Sequence, residues 1–229
     1  MTSNRLIAFR TIHAMIAAVV AGSLIIQLAL LFTGGADANS RDTDADVGVA
    51  TRLVRLLSYF TIQSNLIVLA VSILLAINPL RAGTRFAVGR FDALLGITVT
   101  GLVFAIVLAP QVHLTGAALV ATIGFHYISP WATLLAWLLF GPRRQFGPAV
   151  IAWAFAWPVA WLLYTFVRGA FVDWYPYPFL DVTEIGYARA LLNAVMVLIL
   201  GAVLAALLRL VDRRAPALLD QTSVGPTSR

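Results

Sequence analysis

The chain has no cysteine and no lysine, three histidines among 229 residues, and only 11% charged side chains, less than half of the roughly 25% usual in a soluble domain. Without a thiol there is no disulfide, thiolate nucleophile, iron–sulfur cluster or cysteine-ligated zinc. A zinc site needs three or four ligands in one shell, and a transmembrane bis-histidine haem needs two deep histidines facing each other. His13, His113 and His126 are too scattered for either, so no metal and no cofactor is expected. The basic residues are all arginine, and the net charge of +6 is read by position, as a marker of membrane orientation and not of nucleic-acid binding. What is abundant is apolar: 61% of residues, with a mean hydropathy of +0.90, which makes this a membrane protein.

Asp, Glu and Arg are absent from residues 11–36, 56–80, 93–142, 145–167 and 190–208. Each run exceeds the roughly 18 residues that suffice for a transmembrane helix, and the third is long enough for two, divided by a polar turn from Pro110 to Gly116 that holds Gln111 and His113. Unpaired backbone groups are not tolerated in lipid, so the spans are helices. The expectation is an all-α, polytopic fold forming one domain over residues 1–214, with six transmembrane helices near 9–32, 56–77, 91–109, 117–140, 146–167 and 187–208. A disordered tail is expected from 215 to 229. Arg5, Arg10, Arg81, Arg85, Arg90, Arg143, Arg144, Arg209, Arg213, Arg214 and Arg229 fall on one side, against Arg41, Arg52, Arg55, Arg168 and Arg189 on the other. That asymmetry predicts cytoplasmic N and C termini. The first apolar segment is too long for a signal-peptide core and is expected to remain as a span.

Two longer loops lie on the outer side in this topology, beside the short turn that holds His113. The first, Thr33 to Arg52, is small, polar and acidic, carrying Asp37, Asp42, Asp44 and Asp46; no apolar periodicity marks a helix in it, and it is expected to be mobile. The second, Gly169 to Tyr187, contains Asp173-Trp174-Tyr175-Pro176-Tyr177-Pro178-Phe179-Leu180-Asp181. This composition suits an aromatic belt at the headgroups or a lid over an outward-facing cavity. No internal repeat suggests a transporter built from inverted halves.

Polar residues inside the spans need partners and often mark function. In the second span, helical spacing puts Ser58, Thr61 and Asn65 on one face, with Ser72 two turns on. In the fourth, His126, Ser129, Pro130 and Thr133 share a face. Thr61 and His126 lie roughly 8 and 14 Å below the outer end at about 1.5 Å per residue, within reach of each other if the helices tilt. An imidazole is the usual base for a hydroxyl nucleophile, although packing hydrogen bonds explain the same residues. Pro130 and Pro158 are expected to kink their helices. Gln27 and Asn193 lie nearer the middle or outer half of their spans, at a depth where they could line the same cavity, and His13 lies near the opposite surface. No acid is expected in a span interior, because Asp92 falls at a boundary, and this speaks against ion or proton transport.

Tyr59-Phe60-Thr61-Ile62-Gln63-Ser64-Asn65, His126-Tyr127-Ile128-Ser129-Pro130 and Trp174 to Asp181 with the following Gly186-Tyr187 resemble the bacterial Pr6Pr membrane proteins, which are similar to the eukaryotic AIG1/ADTRP/FAR-17a family of intramembrane threonine hydrolases. The resemblance runs from about residue 9 to 208 and includes the six spans. It implies a bacterial cytoplasmic membrane and hydrolysis of lipid esters, of the type fatty acid ester of hydroxy fatty acid, with Thr61 as nucleophile and His126 as base. The acidic first loop lies outside it, and the reaction can carry over without the substrate. On this reading Asn65 stabilises the oxyanion, and Ser129, Asn193 or a backbone carbonyl orients the imidazole in place of the missing acid. Ser58 lines the site, and Arg52 and Arg55 hold a substrate carboxylate or headgroup or else snorkel to lipid phosphate. The partners implied are a lipid or fatty-acyl ester and membrane lipids, with no nucleic acid and no protein partner indicated. The competing expectation is a non-enzymatic membrane protein that binds or carries an amphiphile in the same outward-side cavity.

Overall fold

The computed structural model describes residues 3–37 and 47–218, and among these the structure is all helical. The elements are α1 (Ser3–Thr33), α2 (Val49–Ser58), α3 (Phe60–Ile77), α4 (Thr84–Val103), α5 (Gly116–Ile123), α6 (Ser129–Phe140), α7 (Pro148–Ala154), α8 (Ala156–Val172) and α9 (Val182–Arg214). A π turn and a 3₁₀ turn extend α4 to Gln111, a π turn joins α5 to α6, and α7 runs into α8. Six continuous units long and apolar enough to cross a membrane result: Asn4–Thr33, Phe60–Ile77, Thr84–Gln111, Gly116–Phe140, Pro148–Val172 and Val182–Arg214. The third is the most buried of the six and the sixth the least, so α4 is the centre of the bundle and α9 a flank.

Helices that share a lipid solvent gain little from hydrophobic burial and associate through close packing and polar contacts. The close approaches here use small residues. Gly124 abuts Ser23 of α1, Gly101 abuts the ring of Pro130, and Gly96 lies beneath the indole of Trp157. α3 lies between α1 and α4, and α7 packs on α4. α8 packs its backbone closely on neither α4 nor α9, which leaves a cleft among the three.

Several boundaries differ from the sequence reading. The spans run longer at the face carrying both termini, from Thr84 instead of 91 and to Arg214 instead of 208, because arginines can snorkel while their helix continues. Asp92 therefore sits eight residues inside α4, about 12 Å from its start, so the expectation of acid-free span interiors is corrected. The second span is interrupted. Tyr59 adopts extended torsions (φ −68°, ψ 128°), so Ser58 ends α2 and α3 starts afresh at Phe60. α2 itself corrects the expectation that the Thr33–Arg52 loop contains no helix, since Val49 to Arg52 form its first turn. The acids Asp42, Asp44 and Asp46, Arg41 and the expected mobility of that loop fall at 38–46, outside the described residues.

The tail expected to be disordered from Ala215 instead turns back over its first residues. Leu218 N–H donates to Leu139 O at 3.0 Å, and Arg143 Nη2 reaches Pro216 O at 3.4 Å. Residues 219–229 lie outside the described residues. Both predicted proline effects have a local form. Pro158 coincides with the break between α7 and α8 at Phe155, and Pro130 follows a π turn over Gly124–Ile128.

Candidate active site

The break at Tyr59 shapes the first half of the site. A helix start leaves four backbone N–H groups without intrahelical acceptors, and Tyr59 offers no side-chain cap. Tyr177, from the segment before α9, supplies an acceptor: the Thr61 N–H donates to its hydroxyl at 3.0 Å. The same hydroxyl lies 3.2 Å from Thr61 Oγ1. Burial pushes the Tyr177 phenol up to about 12, despite the opposing effect of its contacts with Thr61, so it remains a proton donor throughout the neutral range.

The second half comes from the paired π turns of the third and fourth spans, Phe104–Leu108 and Gly124–Ile128. Such bulges widen a helix locally and recur at functional sites. His126 projects from the second, and its ring stacks on Phe104 at 3.8 Å between centroids. His126 Nδ1 lies 3.2 Å from Thr122 O. A carbonyl can only accept, so Nδ1 carries the proton and Nε2 presents its lone pair. Nε2 is 3.4 Å from Thr61 Oγ1. The donors therefore run in one direction, from Tyr177 O–H to Thr61 Oγ1, from Thr61 O–H to His126 Nε2, and from His126 Nδ1–H to the Thr122 carbonyl.

Asn65 holds the two halves together. Its Nδ2 donates to Thr61 O at 2.9 Å and to Phe125 O at 3.4 Å. Phe125 O needs that donor, because Ser129 N–H is committed to Gly124 O and Pro130 has no N–H to offer. The amide hydrogens of Asn65, expected to face an oxyanion, are thus directed at two main-chain carbonyls. The group aimed at Thr61 Oγ1 from the other side is the Tyr177 hydroxyl.

The remaining sequence candidates are placed as follows. Ser58 is outside the Thr61–His126 contact: its hydroxyl donates to Val54 O at 2.7 Å and meets Tyr164 OH at 2.8 Å. Ser129 Oγ is buried with no partner among the described residues, and it is the Thr122 carbonyl that orients the imidazole. Asn193 Nδ2 donates to Phe179 O at 2.9 Å, tying the segment before α9 to α9 itself. Arg52 reaches Leu30 O at 3.4 Å, and Arg55 lies over the ring of Trp174, whose centroid is 5.1 Å from the guanidinium of Arg55 and from that of Arg168. Gln27 and His13 are buried outside the contact.

The sequence pattern alone does not single out Tyr177 within the aromatic segment. The available signal was Tyr-Pro-Tyr-Pro: prolines favour extended backbone before them, and extended backbone sends residues i and i+2 to one side. Tyr175 and Tyr177 are both buried against the bundle. Tyr175 rests on Gly169, where any side chain would collide with its ring.

From Thr61 and Tyr177 an apolar cleft, open along one side, runs between α4, α8 and α9. Its walls include Phe104, Val99, Leu95, Trp157, Trp161 and Gly201, and Asp92 lies at the end away from Thr61. Among the described residues there is no group of three or more His, Asp or Glu placed to hold a metal. The fold and site define a six-span helical membrane protein with a hydroxyl–imidazole contact at the head of an apolar cleft. No protein-family model matches the chain, and comparisons with curated proteins and with solved structures return no match.

Proposed function

We propose that this protein is an intramembrane hydrolase of lipid esters, with Thr61 as nucleophile and His126 as general base. The observation that carries the proposal is the Thr61 Oγ1–His126 Nε2 approach of 3.4 Å, buried at the head of a cleft shaped for an apolar chain. The resemblance to Pr6Pr proteins and to the threonine hydrolases similar to them points the same way. Thr61 Oγ1 attacks the ester carbonyl as its proton passes to His126 Nε2. The Tyr177 hydroxyl, turning from Thr61 to the carbonyl oxygen, and the N–H groups at the start of α3 stabilise the oxyanion. Collapse breaks the ester C–O bond, and the leaving alkoxide takes the proton from His126. Water, activated by the same imidazole, then releases the acyl group and restores the Thr61 hydroxyl. The nascent imidazolium is favoured by the face of Phe104 stacked on it and by the Thr122 carbonyl, which stands at Nδ1 where a triad has a carboxylate.

The arginine asymmetry supports cytoplasmic termini and so a site in the outer half of the membrane, and the resemblance to bacterial Pr6Pr proteins supports a bacterial cytoplasmic membrane. The loose packing of α8 supports entry of an ester sideways from the bilayer. Arg52 and Arg55 stand at that surface, where they can meet a headgroup or a lipid phosphate. The cleft alone also suits a carrier that holds an amphiphile without cleaving it. Turnover of long-chain esters by protein in nanodiscs separates the two: a hydrolase retains part of its rate in Thr61→Ser and none in Thr61→Ala, whereas a carrier binds ester and turns over none.

A further inference from the structure

The cleft ends on a carboxyl group. Asp92 lines it among otherwise apolar neighbours, half-buried, and forms no hydrogen bond or ion pair among the described residues. An ionisable side chain within a span is costly and ordinarily has a partner or a functional role. The nearest cation in sequence, Arg90, is turned to another side of α4, where it donates to Gln145 Oε1 at 3.1 Å and to the Gly141 carbonyl. The two polar ends of the cleft are well separated. Phe104, which stacks on His126, is twelve positions from Asp92 along the third span, or about 18 Å. A ligand whose chain fills the intervening wall therefore puts its far end against Asp92.

We propose that Asp92 makes the cleft a two-ended site that selects a long-chain amphiphile bearing an amine at the end remote from its carbonyl group. A carboxylate at that end meets like charge, and a plain methyl end leaves Asp92 unpaired, whereas an ammonium group supplies both a counter-charge and hydrogen bonds. The inference deepens the reading of the cleft as the place where a substrate chain lies, and it requires no hydrolysis.

The test uses full-length Thr61→Ala protein in nanodiscs of zwitterionic lipid at pH 7, with empty nanodiscs subtracted. Dodecylamine and dodecanoate are titrated, and tryptophan fluorescence is followed because Trp157 and Trp161 line the cleft. The expected result is binding of the amine at least about tenfold tighter than of the carboxylate, the equivalent of about 1.4 kcal/mol, with the preference abolished in Asp92→Asn. Equal binding of the two probes overturns the proposal, even if Asp92→Asn fails to fold. A preference that survives in a folded Asp92→Asn protein also overturns it. Because Thr61 is already replaced, failure here leaves the hydrolase reading to its own assay, and failure of hydrolysis leaves this selectivity intact.

Discussion

Replacing Asn65 by leucine removes the clamp between the Thr61 turn and the His126 turn while keeping a side chain of similar length. Asn65 is fully buried, and its amide makes one hydrogen bond of good length, 2.9 Å to Thr61 O, and one long one, 3.4 Å to Phe125 O. A net hydrogen bond is worth about 1 kcal/mol, and a buried acceptor left without a donor costs about 1–3 kcal/mol. Phe125 O is such an acceptor, since no N–H of its own helix is available to it. Against this, the substitution also removes Asn65 Oδ1, itself buried without a partner among the described residues. Transmembrane hydrogen bonds measured by mutant cycles average only about 0.6 kcal/mol, so the net loss is about 1–2 kcal/mol of stability. The Thr61–His126 contact is already long, and a misplacement of about 1 Å can cost about 10²-fold in rate. The assay pairs the unfolding free energy in mixed micelles with the rate of fluorophosphonate labelling. Both should fall in Asn65→Leu. A drop in labelling with stability unchanged would instead mark Asn65 as an oxyanion donor idle in the resting protein. Wild-type values for both would refute the clamp.

Tyr177→Phe is expected to lower ester turnover by about 10²- to 10³-fold, as loss of an oxyanion donor does elsewhere, and steady-state hydrolysis kinetics check it. The Tyr177 phenol, pushed up to about 12 by burial against about 10 in an unfolded chain, contributes stability that is fully present below pH 10 and is lost as pH rises to 12. Denaturation measured from pH 9 to 12 should lose about 2–3 kcal/mol in the wild type beyond the loss in Tyr177→Phe; parallel curves would contradict the assignment. A Cβ at Gly96 would meet Trp157 Cζ3 at 2.8 Å, so Gly96→Val should obstruct the cleft. Hydrolysis of long-chain esters should fall while that of acetyl esters persists, a split visible in a chain-length series. Gly169→Ala should expel the Tyr175 ring and cost about 1–3 kcal/mol by overpacking, with faster proteolysis of the segment between α8 and α9 as its readout.

The six spans were legible because uninterrupted apolar runs leave a chain little alternative to membrane helices. The shared face of Thr61 and Asn65 was legible from their spacing of four, which survives because both lie inside α3. The break between Ser58 and Phe60 was not legible, since no glycine or proline marks it. Tyr59 is held there by distant contacts, its ring edge-on to Trp174 and Tyr177 at 5.8 and 5.5 Å. The depth of Asp92 is hidden for a different reason: Arg81, Arg85 and Arg90 read as a charged cluster outside the membrane, whereas Arg85 and Arg90 ride on α4 and Arg90 is buried. The role found for Asn65 depends on which carbonyl a π turn leaves without a donor, and that follows from the register of the turn, which composition does not reveal.

Intact-mass analysis of the purified protein after treatment with a hydroxyl-directed fluorophosphonate tests the central claim most directly, since it needs no knowledge of the substrate. A single adduct on wild-type protein, mapped to Thr61 and absent from folded Thr61→Ala and His126→Ala, is the predicted result. A folded wild-type protein that takes up no adduct, or one labelled equally well without His126, would contradict an activated threonine.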